Sequence, residues 1–276
     1  MYYYVHSSAC APGSPNVGSL ATTSAAMYKS IVGFFLLVYL LTLLMLAPAS
    51  LLDRWLQHAT NGRLMLAHTQ GTIWQGAATP AIRGRAGNLI ALEPLHWRVA
   101  VLPLFTAKMQ ARLQWNDLPP DSAMVATVAF NQIELQHVRL SLPAQIVEEF
   151  SPILKPAQFR GQFRIQSEHL VATPQNITGT AIMDWQQASS ALSSIAPLGN
   201  YRLTLNGAGE RINIGLSTTA GVLLLNGQGL WSAAKGLTFN GTAQAAAGKY
   251  DSLAELLHHL GPEAAPGVHS FKLIPP

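Results

Sequence analysis

Ala107-Lys108-Met109-Gln110-Ala111-Arg112-Leu113-Gln114-Trp115 alternates apolar and polar side chains without a break. A β-strand, whose successive side chains point to opposite faces, turns such a stretch into one dry side and one wet side. Phe159, Gly161, Phe163 and Ile165, set against Arg160, Gln162, Arg164 and Gln166, repeat the pattern. The same period predicts strands over residues 71–79, 89–99, 123–142, 178–186, 201–206, 211–218, 222–231 and 237–246. Within 123–142 the apolar parity changes twice, which predicts bulges near Asn131 and His137, in one long bent strand or two short ones. Asn206-Gly207, Asn226-Gly227 and Asn240-Gly241 are expected in tight turns, where their tolerance of positive φ is useful.

Two helices complete this body. Pro143 suits a first helical turn, giving a short helix over 144–150. Ser252 and Glu255 read as a capping box ahead of the stripe Leu253, Leu256, Leu257 and Leu260, with Gly261 and Pro262 as the stop. The expectation is a mostly β, antiparallel, twisted sheet of about ten strands, with the second helix plugging its open end.

Upstream lies a run of another kind. Residues 31–47 carry no charge and end at Pro48. Ile31, Phe34, Phe35, Leu36, Leu37, Val38, Leu40, Leu41, Leu43, Leu44 and Leu46 supply the apolar surface of a transmembrane anchor, expected over residues 27–52. A cleavable signal peptide is the competing reading, because Ala47-Pro48-Ala49 has the small-x-small form. The run is longer than the usual ~7–15 residue apolar core of such peptides. Lys29 on one side and Arg54 and Arg63 on the other leave the orientation open. Residues 1–26 show no period and hold Cys10, and Met27 precedes the run directly; they read as a disordered or mis-assigned extension. Residues 53–276 then form the β-rich domain.

Composition removes several classes of function. Only 11% of the 276 residues are charged, and the net charge is +4. The pI is near 9.3 and the mean hydropathy +0.22. A charge-driven disordered chain needs the opposite balance, and a nucleic-acid binder needs a denser basic surface. A single cysteine excludes an internal disulfide. Ser232-Ala233-Ala234-Lys235 has the S-x-x-K form of penicillin-recognising enzymes but sits between strands without the companion motifs, so it reads as a turn. The histidines include no H-E-x-x-H, and His258 and His259 point about 100° apart on a helix. Glu148 and Glu149 flank no discernible cleft. The reading is of a non-enzymatic chain without metal or cofactor.

Several blocks follow one another in an informative order. Gly71-Thr72-Ile73-Trp74-Gln75-Gly76 follows the anchor, then Leu95-His96-Trp97-Arg98-Val99 and Leu113-Gln114-Trp115. Thr178-Gly179-Thr180-Ala181-Ile182-Met183-Asp184-Trp185, Gly227-Gln228-Gly229-Leu230-Trp231-Ser232 and Leu256-Leu257-His258-His259-Leu260-Gly261 come later. From about Met27 to the C-terminus this succession resembles the protein N family of bacterial type II secretion systems. The resemblance implies a Gram-negative, single-pass inner-membrane protein with a cytoplasmic N-terminus and a periplasmic domain. It implies an accessory role in exporting folded proteins across the outer membrane, through contacts with other subunits of that system and with membrane lipid at the anchor. It carries over no catalytic residue. Gly71, Thr72, Trp74, Gly76, Trp97, Trp115, Gly179, Trp185, Gly229, Trp231, Leu257 and Gly261 are then motif positions of structural weight. Residues 1–26 and the Pro- and Ala-rich tail after Gly261 depart from the pattern. Anchored, β-rich, charge-poor chains also resemble AsmA-like lipid-handling proteins, so an apolar groove along a curved sheet is the alternative. An open apolar channel would favour it and a filled core would defeat it.

Overall fold

The computed structural model describes residues 18–84, 87–101, 107–115, 123–150 and 152–273. The chain divides into two units, Met1–Ala47 and Pro48–Pro276.

The first unit contains α1 (Gly18–Met45). A run rich in Leu and free of Pro favours the helix, and the Thr42 hydroxyl turns inward to donate to the Val38 carbonyl at 2.9 Å. Its side chains from Ile31 onward are exposed, Phe35 at 66%. Among the described residues no helix is both long and apolar enough to cross a membrane. From Ile31 to Met45 the rise is about 21 Å, short of a ~30 Å hydrocarbon core. Leu51 and Leu52 do not lengthen this helix as expected, because Pro48 interrupts it and they belong to the separate helix α2 (Ser50–Ala59). The extension expected over 1–26 lies outside the described residues up to residue 17, and from Gly18 the chain is already helical.

Among the described residues the second unit is built on one antiparallel sheet of fifteen strands, five more than the ten or so expected. Its first seven strands are β1 (Leu64–Gly71), β2 (Gln75–Arg83), β3 (Leu89–Ala91), β4 (Leu95–Ala100), β5 (Met109–Trp115), β6 (Met124–Ala129) and β7 (Gln132–Pro143). After a short helix α3 (Ile146–Phe150) come β8 (Arg160–Ala172), β9 (Ile177–Ser189), β10 (Gly199–Gly209), β11 (Arg211–Gly221), β12 (Leu223–Ser232) and β13 (Gly236–Ala245). Helix α4 (Tyr250–Leu260) precedes β14 (Glu263–Ala265) and β15 (Val268–Leu273). Neighbours along the sheet are neighbours in sequence, except that β3 pairs β2 off the main path and β15 lies between β13 and β14. One meander thus links nearly all the strands of the unit in chain order.

Several local expectations change. Residues 71–79 are not one strand: Thr72, Ile73 and Trp74 form the turn between β1 and β2. The stretch 123–142 is two strands joined by a tight turn at Phe130-Asn131, so the first parity change is a hairpin rather than a bulge. At His137 the expected irregularity is present, with φ +53°. Pro143 ends β7 instead of opening a helix, and α3 begins at Ile146. Helix α4 starts a turn earlier than its supposed capping box, with Lys249 at the N-cap and no side-chain cap bond. Its apolar stripe behaves as expected, and Leu253, Leu256 and Leu257 are buried.

None of the three Asn-Gly pairs is a turn. They lie inside β10, β12 and β13. The asparagines take the polar face, and the glycines sit where a Cβ would strike a neighbour. At Gly227 that neighbour is the Phe239 ring, 2.6 Å away, and at Gly241 it is the Phe271 ring. A space for a ring, not a backbone angle, selects glycine at those two sites. The S-x-x-K segment does form the β12–β13 turn, with the Lys235 N–H donating to the Ser232 hydroxyl at 3.3 Å.

Candidate functional site: an apolar face along the sheet

Helices cover the apolar face at three places. Over β12 and β13, Leu253, Leu256 and Leu257 of α4 pack on Leu223, Ala243 and Tyr201. The Tyr201 hydroxyl donates to the Leu223 carbonyl at 3.1 Å, and burial pushes its pKa up. Ala144 and Ile146 pack on Phe163, beside Trp185. Trp185 is ringed by Phe159, Phe163 and Tyr201 at centroid distances of 5.3, 5.5 and 5.8 Å. At the N-terminal end Ala49 packs with Ala78 and Trp97, against Leu52 of α2. The outer edge of β1 is closed there too: Asp53 accepts the Leu66 N–H at 2.7 Å and Thr60 accepts the Leu64 N–H at 3.0 Å.

Between these covers the strand register draws one continuous line. Val99 opposes Ala111, Ala111 opposes Ala126, and Ala126 opposes Leu135. Leu135 opposes Leu170, which opposes Gly179, which opposes Gly207. The line continues through Ile212 and Trp231 to Leu237. It crosses ten strands, β4 to β13, without a charged or amide side chain. Each of its ten residues is half-buried; none is fully covered and none stands free. At about 4.8 Å per strand the row runs roughly 43 Å. Two hollows open on it, each of about 380 Å³. One is walled by Trp55 and Leu56 of α2 with Val99 and Ala111, the other by Leu170, Leu205, Ile212 and Trp231.

The opposite face is polar. Arg98 and Arg112 stand directly across the β4–β5 ladder, in a shallow hollow of about 450 Å³ shared with Gln75, His96 and Gln114. Arg202 grips Asp184 with two hydrogen bonds, 2.7 and 3.1 Å, which raises the guanidinium pKa further. Glu134 accepts from Gln136 and bonds His169, each at 2.8 Å, and those bonds hold its pKa below the ordinary value. Among the described residues no group of three or more His, Cys, Asp or Glu is placed to hold a metal ion.

The motif positions fall into three groups. Gly71, Thr72, Trp74, Gly76 and Trp97 meet at the β1–β2 turn, where the Trp97 indole N–H donates to the Thr72 carbonyl at 3.2 Å. Gly179, Gly229 and Trp231 belong to the apolar face of β9 and β12. Trp185 and Leu257 belong to the core cluster under α4. Gly261 ends α4 where a Cβ would meet the Ser270 carbonyl of β15. Trp115 stands apart at the end of β5. Two features escaped the sequence reading. His269 is fully buried with Nδ1 2.8 Å from the Gly261 carbonyl, and Trp55 is 68% exposed on α2. The i, i+3, i+4 spacing of Leu52, Trp55 and Leu56 was the available signal for α2.

Residues 62–272 match the family model described as type II secretion system protein N. The chain is also similar to a curated protein of Klebsiella pneumoniae named type II secretion system protein N. The two are 30% identical over 217 residues, 75% of this chain and 79% of that protein. No solved structure matches the chain.

Proposed function

The chain belongs to the type II secretion system protein N family, and we propose that it serves that system as a non-enzymatic accessory component held at the inner membrane. In this reading α1 is a single-pass anchor with its N-terminus in the cytoplasm, and the β-sheet unit works in the periplasm. It contacts other, unidentified subunits of the secretion system through its sheet. Support for the anchor comes from the uncharged segment 31–47 and the exposure of the apolar side chains on every side of the helix from Ile31 to Met45. An apolar segment shorter than the bilayer core is accommodated by local thinning and by snorkelling of flanking residues. Support for a role without chemistry comes from the scatter of titratable groups.

The observation that carries the reading is the family match across 62–272. Deletion of the gene is expected to leave secreted enzymes in the periplasm, and the intact gene to restore export. Resistance to alkaline carbonate extraction, with the sheet unit digested by protease only in spheroplasts, is expected for the anchor. Undiminished secretion after deletion would overturn the functional proposal.

A further inference from the structure

We propose that the ten-strand apolar row from Val99 to Leu237 is a binding site for the acyl chains of membrane phospholipid. The claim goes beyond the accessory role above and takes from it only the tether that would bring the site to a bilayer.

The chemistry of the row selects the occupant. Every strand from β4 to β13 has a hydrogen-bonded neighbour on both sides, so the backbone donors and acceptors of the ladders point along the sheet to neighbouring strands and not up from its face. An extended peptide laid on it would bury its own N–H and C=O groups without partners. A hydrocarbon chain has none to lose. A helix satisfies its backbone internally, and among the described residues the one helix long enough to follow the row is α1, at 28 residues. It is apolar around its circumference from Ile31 to Met45, and laying it in the row would leave its outer side in water. Small side chains at Ala111, Ala126, Gly179 and Gly207 keep the floor low, and the two hollows are walled by carbon. The row of roughly 43 Å exceeds the ~15 Å that one leaflet's hydrocarbon occupies.

The row also has an entrance. Its β4 end lies in the hollow beneath α2, where Trp55 lines the wall while still 68% exposed, and Leu51 of the same helix is 45% exposed. Tryptophan beside leucine suits the boundary between headgroups and hydrocarbon. Helix α2 begins five residues after α1 ends, at most about 18 Å of extended chain. An anchored α1 therefore keeps the entrance within reach of lipid.

The test uses the full chain in inner membranes of cells grown with radioactive phosphate. A photo-crosslinking phenylalanine is placed at Leu135 or Ile212 on the row, and at Asn213 or Gln228 on the polar face. Illumination is expected to attach labelled phospholipid at Leu135 and Ile212 and not at Asn213 or Gln228. Leu135→Arg is expected to lower labelling at Ile212 by about tenfold, since a charge then faces the hydrocarbon. Thr127→Arg, on the other face, should leave it unchanged, and protease resistance of the sheet unit monitors folding in both. Crosslinks to another protein, to α1 of the same chain, or equally from both faces would overturn the proposal. Should carbonate release the chain, the tether reading fails separately. The row is then probed on the purified full chain with phosphatidylethanolamine vesicles whose acyl chains carry a diazirine, and absence of labelling at the row overturns it.

Discussion

Gly76 of β2 lies directly across the ladder from Trp97 of β4, and the indole ring fills the place a Cβ at residue 76 would take, with ring carbon Cζ2 2.5 Å from it. The ring cannot slide away freely, because its N–H is bonded to the Thr72 carbonyl. Gly76→Ala is therefore expected to destabilise the sheet unit by about 1–3 kcal/mol, the usual cost of overpacking. Trp97→Ala should cost about 3–5 kcal/mol. Urea unfolding of the two variants checks both figures.

Glycines inside the strands should divide by what their missing Cβ would meet. Gly241→Ala forces the Phe271 ring, stacked 6.0 Å from Phe239, to shift, and is expected to cost about 1–3 kcal/mol. Gly215, in β11, has open space at that position and no positive φ. Gly215→Ala should be neutral or stabilising by about 0.4–1 kcal/mol through the unfolded chain. Thermal melting of the pair side by side separates steric from backbone effects.

Helix α4 is held by a few buried leucines. Leu257 is fully buried against the β12–β13 face, so Leu257→Ala is expected to cost about 2–5 kcal/mol. Faster amide exchange confined to α4 and the adjoining strands would show the helix detaching. Exchange unchanged there would contradict the assignment of this core.

Arg98 and Arg112 place like charges opposite each other on the polar face. Arg112→Glu should turn a repulsive cross-strand pair into an attractive one and stabilise the unit by about 0.2–1 kcal/mol at low salt. The gain should shrink as ionic strength rises. Denaturation midpoints at two salt concentrations measure it.

Glu134 gives the acid limb of stability its sign. Its hydrogen bonds to Gln136 and His169 lower its pKa from the ordinary 4.5, so the native chain holds that proton less tightly than the unfolded one. The contribution is complete above the ordinary value and is lost as pH falls through the lowered native one. Glu134→Gln is expected to flatten this part of the stability curve, read from urea unfolding at stepwise lower pH. A curve that stays parallel to that of the unaltered chain would refute the assignment.

Alternation made much of the fold legible. Ala107 to Trp115 and Phe159 to Gln166 announced β5 and β8 with the right residues on each face, because burial on one side imposes a two-residue period. The Leu253, Leu256 and Leu257 stripe announced α4. The stretch 89–99, expected as one strand, is divided at Leu92, Glu93 and Pro94 into β3 and β4, and the short strand β14 was not legible, since three residues carry no period and its pairing with β15 alone makes it a strand. The Asn-Gly pairs misled for a related reason: glycine next to asparagine is common in turns, but an aromatic ring from the next strand calls for glycine just as firmly. The bond from Asp53 to the Leu66 N–H spans 13 positions, and nothing local announces it.

The sequence alone determined that this chain is a β protein behind an apolar helix, and through its ordered motifs it pointed to the family. Local periodicity is enough for that, because the face a side chain takes depends only on its own strand. The register of fifteen strands had to be in place before ten residues, scattered from Val99 to Leu237, became one continuous dry line. Alignment across a sheet is set by bulges such as that at His137 and by turn lengths summed over the whole meander, and these exist only in three dimensions.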